Sequence, residues 1–89
     1  MRESYLGVTF RRGRPLAAYY YLPRRPGQKS YRTREAAPGI LVDFTRTGRP
    51  IGIEITAPDR ASVAAINRIL RSLGQPVVRS QDLAPLHAA

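Results

Sequence analysis

From Ile40 onward, apolar and polar positions alternate with period two. Ile40, Val42 and Phe44 are interleaved with Leu41 and Asp43, and beyond Thr45–Arg49 the residues Ile51, Ile53 and Ile55 are interleaved with Gly52 and Glu54. Two β-branched runs around a Gly-containing loop predict a hairpin, with strands over about 39–45 and 50–56. Pairing Phe44 with Ile51, Val42 with Ile53 and Ile40 with Ile55 gathers six large apolar side chains on one face. The other face then carries Leu41, Asp43, Gly52, Glu54 and Thr56. A slip of one residue would set Asp43 against Ile51 on a shared face, so the pattern itself selects the register.

The period changes after Pro58. Val63, Ile66, Ile69, Leu70 and Leu73 form one stripe at helical spacing, with Arg60, Ala64, Arg68 and Arg71 on the opposite side. Asp59 is placed to cap the first turn, Gly74 to end the helix and Pro76 to prevent its continuation, which predicts a helix over about 59–73. Its stripe and the isoleucine face of the hairpin would bury one another.

The first half repeats the strand signal more weakly. Tyr5–Phe10 alternates, Arg11–Pro15 reads as a turn, and the aromatic-rich run at about 16–22 suits a second strand. Residues 23–38, with three prolines and Gly27, read mostly as loop, with Ser30–Glu35 extended. In the tail, 77–89, Leu83 and Leu86 are expected to pack back on the sheet, and His87–Ala89 to fray. The expected fold is α+β: an antiparallel meander of about four strands with a single helix on one face.

With 89 residues the chain makes one domain, and at this size roughly 60–65% of the unfolded surface can be buried. The absence of cysteine excludes disulfides, thiolate metal sites and cysteine nucleophiles, and the single histidine, His87, excludes a His-rich cluster. No apolar run approaches the roughly 18 residues of a spanning helix. The apolar stretch after Arg2 is interrupted by Arg11 and Arg12, so neither a membrane segment nor a signal peptide is expected, and the expected location is the cytoplasm. Fifteen basic residues against six acidic give a net charge of +9, which favours polyanions or acidic proteins as partners. Fourteen of the fifteen are arginine, a bias that a GC-rich genome produces without selection for guanidinium geometry.

The stretch Pro38-Gly39-Ile40-Leu41-Val42-Asp43-Phe44, followed by Gly48 and by Ile51-Gly52-Ile53-Glu54-Ile55, resembles a bacterial pattern. It is that of the small proteins grouped as the domain of unknown function numbered twenty-two eighty-three. The resemblance covers about residues 16–73 and implies a bacterial protein with a meander sheet backed by a helix. It marks Asp43, Gly48, Gly52 and Glu54 as structural motif positions and implies no established activity or cofactor. The Arg-rich turn at 46–49 and the added Tyr5–Phe10 strand depart from the family's pattern.

Two constellations could carry chemistry. Asp43 and Glu54 share the non-core face at a diagonal separation, as an acid–base pair would. No nucleophile, histidine or metal ligand accompanies them, so the expectation is structural: each carboxylate held by an arginine such as Arg34, Arg46 or Arg49. Tyr19–Tyr21 beside Arg24, Arg25, Lys29, Arg32 and Arg34 resembles a basic, aromatic surface for nucleic acid. Alternation, however, sends Tyr20 to the face opposite Tyr19 and Tyr21. Arg60, Arg68 and Arg71 suit a solvated helix face, and the scattered glycines match no phosphate-binding loop. The half-apolar second face of the sheet favours a non-enzymatic, self-associating interaction module without cofactors. A nucleic-acid-binding regulator acting through loop 24–34 and Tyr19–Tyr21 is the alternative.

Overall fold

A computed structural model of the chain describes residues 3–87. Five strands form one antiparallel sheet: β1 (Tyr5–Arg11), β2 (Arg14–Tyr21), β3 (Arg32–Ala37), β4 (Ile40–Phe44) and β5 (Pro50–Ile55). A 3-10 turn at Pro58–Arg60 leads into helix α1 (Val63–Ser72), and a second 3-10 stretch spans Ser80–His87. The fold is therefore α+β, with a fifth strand and additional helical turns beyond the expected four strands and one helix.

The spatial order is β1-β2-β5-β4-β3, so the sheet is a β1–β2 hairpin joined edge to edge with a β3–β4–β5 meander. The connection from β2 to β3 crosses from the middle of the sheet to its far edge. Expected and observed registers agree at Val42↔Ile53 and Ile40↔Ile55. A bulge between Asp43 and Phe44 moves Phe44 opposite Pro50, because Ile51 of β5 is the extra residue left without a partner in the pairing. β3 lies within the segment read mostly as loop, where it overlaps the Ser30–Glu35 stretch expected to be extended. Its sequence, Arg-Thr-Arg-Glu-Ala-Ala, has no apolar alternation because it is an edge strand with five exposed residues.

One side of the sheet is core. Ala18, Tyr20 and Leu22 of β2 and its exit, Ile40, Val42 and Phe44 of β4, and Ile53 and Ile55 of β5 meet Ile66, Ile69 and Leu70 of α1. Leu83 and Leu86 close this layer from the tail, as expected. Asn67, buried within it, donates to the Val78 carbonyl at 2.9 Å and accepts from the Val78 amide at 2.8 Å, fixing the path of the tail. The expected fraying fails at His87, whose Nε2 lies 2.8 Å from the Ala61 carbonyl; Ala88 and Ala89 lie outside the described residues.

The helix begins later than the pattern predicts. Asp59 falls in the 3-10 turn, and the cap of α1 is Ser62, whose Oγ accepts from the Ala65 amide at 3.1 Å. Gly74, at φ +70°, ends the helix as expected. Among the described residues no helix is long and apolar enough to cross a membrane. The helical layer covers one face of the sheet and leaves the other open.

Candidate functional site

Alternation along β2 sends Tyr20 into the core and leaves Tyr19 and Tyr21 on the open face. Across the sheet, Tyr5, Tyr21, Gly52, Asp43 and Thr33 form one row, and Gly7, Tyr19, Glu54, Leu41 and Glu35 form the next. Tyr19 does not stay in its own row. Its ring passes over Gly52, in the volume a Cβ there would need, and its hydroxyl donates to Asp43 Oδ2 at 2.7 Å. From the other side Thr33 Oγ1 donates to Asp43 Oδ1 at 2.5 Å. The carboxylate is only 6% exposed although it sits on the uncovered face.

These four residues come from β2, β5, β4 and β3, so one buried carboxylate ties four strands together. A charged acceptor strengthens each bond, and both carboxylate oxygens are engaged within the chain. Burial, followed by the hydrogen bond and charge of Asp43, raises the Tyr19 phenol well above its ordinary range; Arg24 offsets part of this. The Arg24 guanidinium also donates to the Ile51 carbonyl at 2.6 Å and lies 5.6 Å from the centre of the Tyr21 ring. Tyr21 in turn stacks on Tyr5, with ring centroids 4.3 Å apart.

Glu54 sits beside Tyr19 and is half-buried in a shallow groove of about 370 Å³, lined also by Gly7, Ala17 and Thr56. The expectation of arginine partners for the carboxylates is not met. Hydroxyls hold Asp43, and among the described residues the ion pair is Arg79–Asp82, which leaves Glu54 outside any. Register explains the first result: Arg34 is opposite Val42 and so faces the core side, away from Asp43. Gly48, at φ +89°, makes the turn before β5.

The basic candidates do not assemble into a single surface. Arg32 and Arg34 lie over the Phe44 ring, at 5.3 and 5.2 Å from its centroid, at the core-side edge of the sheet. Arg24 is on the open face, and Arg25 and Lys29 are exposed in the loop before β3. Sequence reasoning missed Thr33, because the extended Ser30–Glu35 stretch was assigned no strand partner, and Tyr31, an exposed aromatic just before β3. Among the described residues no three His, Cys, Asp or Glu side chains cluster as metal ligands.

Residues 17–57 match the family model described as "Protein of unknown function (DUF2283)". This segment is similar to the DUF2283 family. It contains Tyr19, Thr33, Asp43 and Gly52, the whole clamp, together with Gly48 and Glu54. Strand β1 and helix α1 lie outside the DUF2283 segment, so the partner of Tyr21 and the core-side cover are both contributed by flanking chain. No curated protein and no solved structure matches the chain.

Proposed function

We propose that the chain is a non-enzymatic interaction module that self-associates through the open face of its sheet. The observation that carries this reading is the composition of that face. Tyr5, Tyr21 and Leu41 expose apolar surface there, next to Gly7 and Gly52, with no element of the chain's described residues over them. Charge selects a second copy as the occupant. Two chains of +9 repel each other, and approach is easiest where the positive charge is lowest. The two central rows of the open face carry Glu35, Glu54 and Asp43, and the one cation placed on them is Arg24, over Tyr21. Asp43 supports a structural rather than catalytic role, since both its oxygens are already bonded to hydroxyls.

Sedimentation equilibrium at micromolar concentration tests the proposal. A dimer or higher oligomer is expected, and Leu41→Glu should convert it to a monomer that retains the wild-type circular dichroism spectrum. A wild-type monomer across that range, or a Leu41→Glu protein that associates as strongly as wild type, would refute it.

A further inference from the structure

At the end of the sheet where β2 leaves and β5 begins, two basic segments lie side by side. The loop 22–31 contains Arg24, Arg25 and Lys29, the turn 45–49 contains Arg46 and Arg49, and neither contains an acidic residue. The Tyr31 amide donates to the Phe44 carbonyl at 2.8 Å, which docks the loop against the base of the turn. Between them runs a groove of about 460 Å³ walled by Gly27–Tyr31 on one side and Thr45–Thr47 on the other. Its aromatic wall is Tyr31, 67% exposed, with the Arg46 guanidinium 5.7 Å from the ring centroid.

We propose that this groove binds single-stranded nucleic acid, with one base stacked on Tyr31 and the flanking phosphates on Arg25, Lys29, Arg46 and Arg49. Beside a cluster of cations, the flat face of an aromatic side chain this exposed suits a base better than an apolar side chain. The groove falls within the usual size range of small-ligand sites, roughly 300–1,000 Å³, so one nucleotide fits. Cations continue past it along both segments, which suits a strand rather than an isolated nucleotide. The base platform is thus Tyr31 and not Tyr19–Tyr21: Tyr20 is in the core, Tyr19 is committed to Asp43, and Tyr21 lies between Tyr5 and Arg24. The turn geometry supports the phosphate role. Thr45, itself buried, accepts the Gly48 and Arg49 amides and so fixes the turn, while Arg46 and Arg49 project into solvent. This inference does not depend on self-association through the open face, because the groove belongs to the loops.

The experiment is fluorescence anisotropy with a labelled oligothymidylate of about 20 nucleotides, a length that exceeds a typical single-strand site. With four phosphate contacts, affinity should fall about fiftyfold between roughly 50 and 200 mM salt. Tyr31→Ala should weaken binding roughly tenfold with little change in salt dependence, and Tyr31→Phe should bind as wild type. Lys29→Glu with Arg46→Glu should abolish binding at the higher salt, whereas Arg68→Glu with Arg71→Glu, the same charge change on α1, should leave affinity within about threefold. The proposal is overturned by no binding at low salt, by equal losses from the two double variants, or by an inert Tyr31→Ala. Stronger competition by duplex DNA or by polyglutamate than by unlabelled oligothymidylate would equally reject a single strand as the occupant. Each variant's thermal melt establishes that it is folded.

Discussion

The Tyr19 ring lies where a Cβ on residue 52 would stand, and that missing atom is what lets its hydroxyl reach Asp43 two strands away. Gly52 has no positive φ, so the requirement is for space and not for backbone freedom. Three strands depend on this one contact. Tyr19 is on β2, Gly52 on β5 and Asp43 on β4, and Thr33 of β3 completes the clamp.

Gly52→Ala is therefore expected to destabilise the protein by about 1–3 kcal/mol, through overpacking against the Tyr19 ring. In a Tyr19→Ala background the same change should be neutral or stabilising, since alanine costs less backbone entropy than glycine in a strand. A double-mutant cycle by urea denaturation measures the difference. Equal costs in both backgrounds would show that the ring and residue 52 are not coupled.

The protonation of Tyr19 predicts a pH dependence. Burial first, and Asp43 second, raise its folded-state pKa above the unfolded value of about 10. Its contribution to stability is then complete below about pH 10 and is lost as the pH rises through the folded-state pKa. Phenolate absorbance of the native protein should accordingly fall short of that of the unfolded chain at the same alkaline pH. Tyr19→Phe should reduce this shortfall; an unchanged shortfall would assign it to another residue.

Asn67→Ala should cost about 2–4 kcal/mol, because both main-chain groups of buried Val78 lose their partner. Hydrogen exchange at the Val78 amide should accelerate well beyond that of the sheet amides. Uniform acceleration across the molecule would mean that Asn67 acts on the whole fold and does not specifically hold the tail.

The two capping candidates can be separated directly. Ser62→Ala should cost about 1 kcal/mol, since the Ala65 amide loses its acceptor, while exposed Asp59→Ala should change stability by less than about 0.5 kcal/mol. The reverse order in chemical denaturation would restore Asp59 as the cap.

Local pattern determined much of this protein. The alternation of Ile40–Phe44 and Ile51–Ile55 specified the hairpin, its faces and two of its register pairs, because neighbouring strands in the chain pair through a short turn and a one-residue slip would put Asp43 in the core. The 3.6-residue stripe specified which side of α1 is buried, and the apolar Leu83 and Leu86 in a polar tail indicated that the tail returns. Tertiary structure decided the rest. That β5 inserts beside β2 is a long-range pairing with no local signature, and it alone brings Tyr19 within reach of Asp43. The edge position of β3 freed its sequence from alternation, so the extended stretch Ser30–Glu35 was legible but its pairing with β4 was hidden, along with Thr33 as a hydrogen-bond donor to Asp43 and the core-side orientation of Arg34. The sequence shows Gly52 as a missing side chain; the strand order shows whose side chain occupies the space.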